Sequence, residues 1–317
     1  MNARNVIAKL GPFLGLLLVI ALFSIPHEVR GYFLTYSNFK IILTQTVIVA
    51  IGALGMTLII VSGGIDLSVG STIAFTGVVG ALLIQHGYPT MTVVAVVIAS
   101  GAVIGLLNGV LIAGLRMMPF IITLGTLSIV RGAAQLLGNN ETVYYDSSPI
   151  NNWMTTSDLA SRSLPAGAWV MLVAAVATAV LLRQTVLGRH IFAIGSNEAT
   201  ARLCGVPTVR TKIIIYSLAG GFFGLAGLMQ MSRLHVGDPT VAAGLELDII
   251  AAVIIGGASL NGGVGTVMGS MIGAFIMAVL RNSSGQMGWP TPVQLVIIGV
   301  VIIAADFLDR LRQSKNS

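Results

Sequence analysis

The chain has 317 residues, of which 55% are hydrophobic and only 9% charged, with a mean hydropathy of +0.93 and a formal charge of +6. A soluble globular protein carries about 25% charged residues, so this composition excludes a surface that faces water throughout, and lipid is the solvent it suits. The basic residues stand singly between apolar runs, which excludes a nucleic-acid-binding tract and reads as the loop charge bias of a membrane protein.

A bilayer core of about 30 Å needs roughly 20 apolar residues of helix. Arg4 and Lys9 precede the first run, 8–26. A signal peptide would end in a small-x-small cleavage site, but Phe23, Ser24, Ile25 and Pro26 stand there, so the run is read as a retained span. Further spans are expected at 41–61, 67–85, 91–114 and 119–138. A polar segment follows at 139–165, then a span at 167–182 and a basic, polar segment at 183–211. The last spans are expected at 213–231, 246–260, 264–281 and 292–308, and the short 246–260 stretch suggests a broken helix. The expected fold is all-α: one polytopic membrane domain of about ten transmembrane helices. The 38 glycines suit close helix packing in such a domain. The single Cys204 excludes an internal disulfide and reads as a packing residue.

Ten spans put both termini on one side. Arg4, Lys9, Arg116, Arg183, Arg189, Arg202, Arg210, Lys212, Arg310, Arg312 and Lys315 share that side and outnumber the basic residues opposite. Both termini are therefore expected in the cytoplasm. The 183–211 segment is then the main cytoplasmic loop, and 139–165 the main periplasmic one. An internal repeat is also visible. Residues 59–83 and 254–277 each carry an apolar run, a Gly-Gly pair (Gly63-Gly64, Gly256-Gly257), a leucine (Leu67, Leu260), a glycine-rich break and a second small-residue run. Glycine-interrupted segments in corresponding halves point to a transport pathway. The halves are placed at about 41–138 and 213–308.

No chemistry of an enzyme is legible. None of the four lysines (Lys9, Lys40, Lys212, Lys315) follows a glycine, so no phosphate-binding loop is present. The histidines His27, His86, His190 and His235 lack metal-ligand spacing. Asp66 sits at a glycine-rich break and reads either as a functional acid or as a cap on the following span, accepting from backbone N–H groups near Ser68 and Val69. Glu246 and Asp248 open a span, where a helix dipole favours them. Asp306 is placed at the membrane interface.

The 195–207 segment is more specific. Ser196 or Asn197 suits an N-cap. Glu198 lies in the first turn and can pair with Arg202 four residues on. Gly205 suits a left-handed C-cap, and Pro207 prevents continuation. A self-contained helix of about eight residues is expected, too short to stand without a docking surface. A cytoplasmic partner or the lipid headgroups could supply it.

Five segments in order resemble the sugar-permease subunits of ABC importers, the ribose, arabinose and galactose group. They are Ser62–Gly70, Gly105–Gly109, PFIITLGTLSIVRG at 119–132, AIGSNEATARLCGV at 193–206, and ELDIIAAVIIGGASLNGGVGT at 246–266. The resemblance runs from the second span to the last. It implies a multi-pass protein of the bacterial inner membrane, paired with a second copy or a paralogue. It also implies a cytoplasmic ABC ATPase that carries ATP and Mg, with no cofactor on this chain, and a periplasmic sugar-binding protein. Asn197, Glu198, Ala199, Arg202 and Gly205 match the family's coupling helix. Val264 and Arg281 depart from its usual Lys and Asn, which bears on the identity of the sugar. Gln45, Asp66, Asn108, Thr123 and Thr126 are candidates for the translocation path. Gln45, Asn108, Thr123 and Thr126 are mid-span, polar and uncharged, and suit a weakly held neutral polyol; interhelical hydrogen bonding is their other reading. The expected function is import of a monosaccharide by alternating access. Branched-chain amino acids or nucleosides are alternative substrates on the same architecture. A self-sufficient ion-coupled carrier is the alternative from another class.

Overall fold

The apolar runs become helices wherever about 20 residues pass without a break. The computed structural model describes residues 3–25, 31–154, 163–290, 292–300 and 303, with backbone alone over 3–10. Among the described residues, six helices are long and apolar enough to cross a bilayer. The chain begins with α1 (Ala3–Ser24), followed by α2 (Tyr36–Val61) and the shorter α3 (Val69–Gln85). Next come α4 (Thr90–Gly109), extended by a π turn (Val110–Gly114), α5 (Pro119–Leu137) and α6 (Ala166–Gln184). Two short helices, α7 (Val186–Ser196) and α8 (Glu198–Leu203), lead into α9 (Thr208–Leu234). The last pair is α10 (Leu245–Ile255) and α11 (Val267–Gln286), with helical backbone again at 292–300.

Helix α2 is the axis of the fold. Its most apolar stretch is 94% buried, against 28% for α4 with its π turn and 17% for α5. The last two therefore turn side chains such as Val103, Leu124, Ile129 and Leu136 outward, as lipid-facing helices do. Helix α4 crosses α9 backbone to backbone: a Cβ added to Gly101 would lie 2.8 Å from the Gly224 nitrogen. Small residues permit that approach, which gains dispersion contacts where lipid offers no hydrophobic drive. Helix α2 is pinned to α11 by the Thr57 hydroxyl, which donates to Ser270 Oγ at 2.7 Å.

Side chains set several helix starts. Thr35 caps α2 by accepting from the Asn38 N–H at 3.2 Å, which starts the helix five residues before the expected 41. Thr266 caps α11 by accepting from the Gly269 N–H at 3.1 Å, so 264–266 belongs to the turn rather than to the span expected at 264–281. The 246–260 span is indeed short: α10 ends at Ile255, and Gly257 turns left-handed at φ +90°. Helix α9 overruns the expected 213–231 at both ends.

The largest departure lies in 183–211. The residues expected as a loop before the short helix form α7, with Leu187, Ile191 and Ile194 spaced to share one helical face. Ser196 ends α7, which leaves Asn197 as the cap, and α8 has six residues rather than eight. The all-α expectation also missed a small antiparallel ladder, Val143–Tyr144 with Val236–Gly237. It ties the 139–165 segment to the end of α9, helped by Ser232 Oγ donating to the Ile150 carbonyl at 2.6 Å. Residues 155–162 and 304–308, with Asp306, lie outside the described residues, as do His27, Arg30 and the charged C-terminal tail.

Candidate functional site

Three groups of polar residues stand out in an otherwise apolar molecule. The first is the α7–α8 elbow. The Asn197 side chain accepts from the Thr200 N–H at 2.9 Å and starts α8. Gly205, at φ +84°, ends it, and Pro207 follows. Ala201 is the buried face of α8, while Asn197, Ala199, Arg202, Leu203 and Gly205 are exposed. Glu198 anchors the helix from within: its carboxylate accepts from Lys212 Nζ at 2.6 Å and from Arg202 at 3.3 Å. Lys212 belongs to α9, so the pair fastens α8 to a spanning helix. The Arg202 arm is 55% exposed and adds little by itself. The outer face of this short helix is bare and includes the apolar Leu203.

Immediately before the elbow, Gly195 lies against two other chain breaks. A Cβ there would fall on the Val61 carbonyl oxygen and 2.5 Å from the Gly263 nitrogen. The Gly263 N–H donates to that same Val61 carbonyl at 2.9 Å. The Gly262 α-carbon region in turn reaches Gly63, 2.9 Å from a Cβ built at 262. The end of α2, the elbow and the α10–α11 turn therefore meet as bare backbone.

The second group is Asp66, Ser68, Asn108 and Thr126. Asp66 is buried at the break between α2 and α3. Its Oδ1 accepts from the Ser68 N–H at 2.8 Å and from the Ser68 hydroxyl at 2.6 Å. Its Oδ2 accepts from Asn108 Nδ2 at 3.2 Å, and Nδ2 also reaches Ser68 Oγ at 3.1 Å. Thr126 donates to Asn108 Oδ1 at 2.7 Å. The chain thus brings Asp66, Asn108 and Thr126 together across the break, α4 and α5. Thr123 stands apart, donating to the Pro119 carbonyl of its own helix at 2.9 Å.

The third group surrounds Gln45. A cavity of about 350 Å³ is lined by Gln45 of α2, Gln230 and Arg233 of α9, Arg281 of α11, and Gln294. Arg281 is ion-paired with the buried Asp248 of α10. Sequence reasoning counted Arg233 only among the loop charges, placed Arg281 at a span end as a departure from the family's usual Asn, and passed over Gln230. The i, i+3 spacing of Gln230 and Arg233 inside one apolar span was the available signal. Among the described residues no cluster of His, Cys, Asp or Glu is arranged to hold a metal.

Residues 38–305 match the protein family described as branched-chain amino acid transport system / permease component. The ribose import permease protein RbsC of Escherichia coli strain K12 is 39% identical over 306 residues, covering 94% of this chain and 93% of the relative. The protein of the same name from Bacillus subtilis strain 168 is 39% identical over 316 residues, 98% and 95% of the two chains. The galactose/methyl galactoside import permease protein MglC of Salmonella typhimurium strain LT2 is 36% identical over 323 residues, 95% and 93%. No solved structure matches the chain.

Proposed function

Because this chain belongs to the family of branched-chain amino acid transport system / permease component proteins, we propose that it is the membrane-spanning subunit of an ABC importer that carries a monosaccharide across the bacterial inner membrane. The observation that carries this reading is the near full-length identity to relatives named as ribose and galactose import permeases. Those names favour a sugar over the branched-chain amino acid of the family description.

In this reading both termini and the α7–α8 elbow face the cytoplasm. An ABC ATPase covers the bare face of α8 through Asn197, Ala199, Arg202 and Gly205, while Glu198 holds the helix to α9. ATP and Mg stay on that partner. A periplasmic sugar-binding protein docks at the opposite end, near the 139–165 segment, and a second copy or a paralogue completes the pore. The chain is one domain whose two halves, about 41–138 and 213–308, rock against each other. Closure of the ATPase displaces α8, and the backbone junction at Gly195 carries the movement to the breaks after α2 and α10. Gln45 and Thr123 border the sugar path. Asp66, Asn108 and Thr126 shape it by holding the first break against α4 and α5.

Proteoliposome uptake of labelled D-ribose and D-galactose tests this. Uptake is expected only with the chain, an ATPase, a binding protein and ATP together. Uptake by the chain alone under a proton or sodium gradient would replace the importer with a secondary carrier.

A further inference from the structure

The cavity beside Gln45 contains more unanswered hydrogen-bonding capacity than a folded interior tolerates. Buried polar groups in native proteins are hydrogen-bonded in the great majority of cases. Yet the side chains of the buried Gln230 and the half-buried Gln45 and Arg233 make no hydrogen bond or ion pair with any described residue. Gln45 Oε1 is fully enclosed without a donor, and Gln230 is only 8% exposed. Arg281 could have competed for the same space as a second free cation, but Asp248 neutralises it. Charged and polar side chains at membrane depth face a pathway or a partner when they persist.

The donor and acceptor balance identifies what fits. A guanidinium only donates, whereas a carboxamide both donates and accepts. An anion would satisfy Arg233 and the carboxamide NH2 groups but leave the carboxamide oxygens, the enclosed Gln45 Oε1 among them, without a donor. A hydroxyl accepts from Arg233 and donates to Gln45 or Gln230. Several hydroxyls on one rigid ring serve all three side chains at once. The cavity's volume lies at the lower end of small-molecule sites, the size expected for one sugar ring rather than an oligosaccharide. We infer that this cavity is a binding chamber for a single neutral monosaccharide, with Arg233 as the donor and Gln45 and Gln230 as the paired donor–acceptors. The inference rests on the importer reading for its substrate class and adds to it a stopping place on the path.

The test uses the full chain in lipid nanodiscs with one added cysteine, Ala243→Cys. Ala243 lies on the exposed rim, so its replacement removes none of the three proposed contacts. Maleimide labelling is followed by peptide mass spectrometry with D-ribose, D-galactose or the anion D-gluconate present. The native Cys204, exposed at the distant elbow, is the internal control. A neutral sugar at twice its dissociation constant slows labelling of the new cysteine about threefold and leaves Cys204 unchanged, and Arg233→Ala abolishes the protection. Protection by D-gluconate alone overturns the neutral-sugar assignment. No protection by any of the three makes the chamber a water-filled vestibule only and overturns the proposal. ATP-driven uptake is measured in parallel on the complete importer. Uptake without protection defeats the chamber and leaves the importer standing; protection without ATP-driven uptake defeats the importer and leaves the chamber.

Discussion

Replacing Gly195 by alanine adds one methyl group where three chain segments meet without side chains. That methyl would coincide with the Val61 carbonyl oxygen and approach the Gly263 nitrogen to 2.5 Å. Both obstacles are backbone, and Val61 O is already engaged by the Gly263 N–H. Neither can swing aside as a side-chain tip could, so either α2 or the α10–α11 turn must shift and that hydrogen bond must lengthen. Overpacking of this kind costs about 1–3 kcal/mol, and with only backbone to displace the upper end applies. About 3 kcal/mol is roughly a hundredfold in the ratio of folded to unfolded chain. Scanning fluorimetry of the purified chain should show a lowered unfolding midpoint. ATP hydrolysis in the assembled importer should lose its link to sugar uptake, because the elbow no longer seats against the breaks. Gly125→Ala is the matched control: nothing lies within 4 Å of its added methyl, and a mid-helix Gly→Ala change is neutral to favourable. A Gly195→Ala protein with an unchanged midpoint and unchanged coupling would refute the junction.

Asp66→Ala should destabilise the chain by about 1–3 kcal/mol for each buried donor it strands, with the Ser68 N–H, the Ser68 hydroxyl and Asn108 Nδ2 at risk; the unfolding midpoint reads it. Thr126→Val removes the hydroxyl that reaches Asn108 and should cost about 0.6 kcal/mol, the usual scale for an interhelical bond in lipid, a shift several times smaller in the same assay. Glu198→Gln should leave the spanning helices folded, since the pair is partly exposed, but lower uptake per ATP hydrolysed; full coupling in this variant would remove Lys212 and Glu198 from the mechanism. Burial pushes the Tyr145 phenol up to about 12, above its ordinary 10. The unfolded chain therefore loses this proton first as pH rises, so the stability present below pH 10 declines through the window up to about 12. Tyr145→Phe should flatten that part of the stability profile.

What could be read in advance was local. The α8 helix announced itself through Asn197, Glu198, Gly205 and Pro207, all within eleven positions of one another, and the caps formed as their chemistry dictates. The shortness of α10 followed from the glycines after Ile255. The capping part of the Asp66 cluster was legible too, because Ser68 is two residues away. Its other half was not: Asn108 lies 42 residues from Asp66, and only the fold decides that they touch. Helix α7 was hidden by its own polar residues, since Arg189 and His190 made an amphipathic turn resemble a loop. The Gln45 cavity gathers α2, α9, α11 and 294 from across the chain. No periodicity within one helix reports that convergence.

The eleven residues of α10 span about 16 Å at 1.5 Å per residue, and the seventeen of α3 about 25 Å, both short of a bilayer core of about 30 Å. Along the lines of α10 and α3, helical backbone alone therefore cannot cross that core. Its remaining depth is closed by irregular backbone, which survives at membrane depth only when protein encloses it. The enclosure is visible on α10, where Ala251, Ala252 and Val253 have no exposed surface at all.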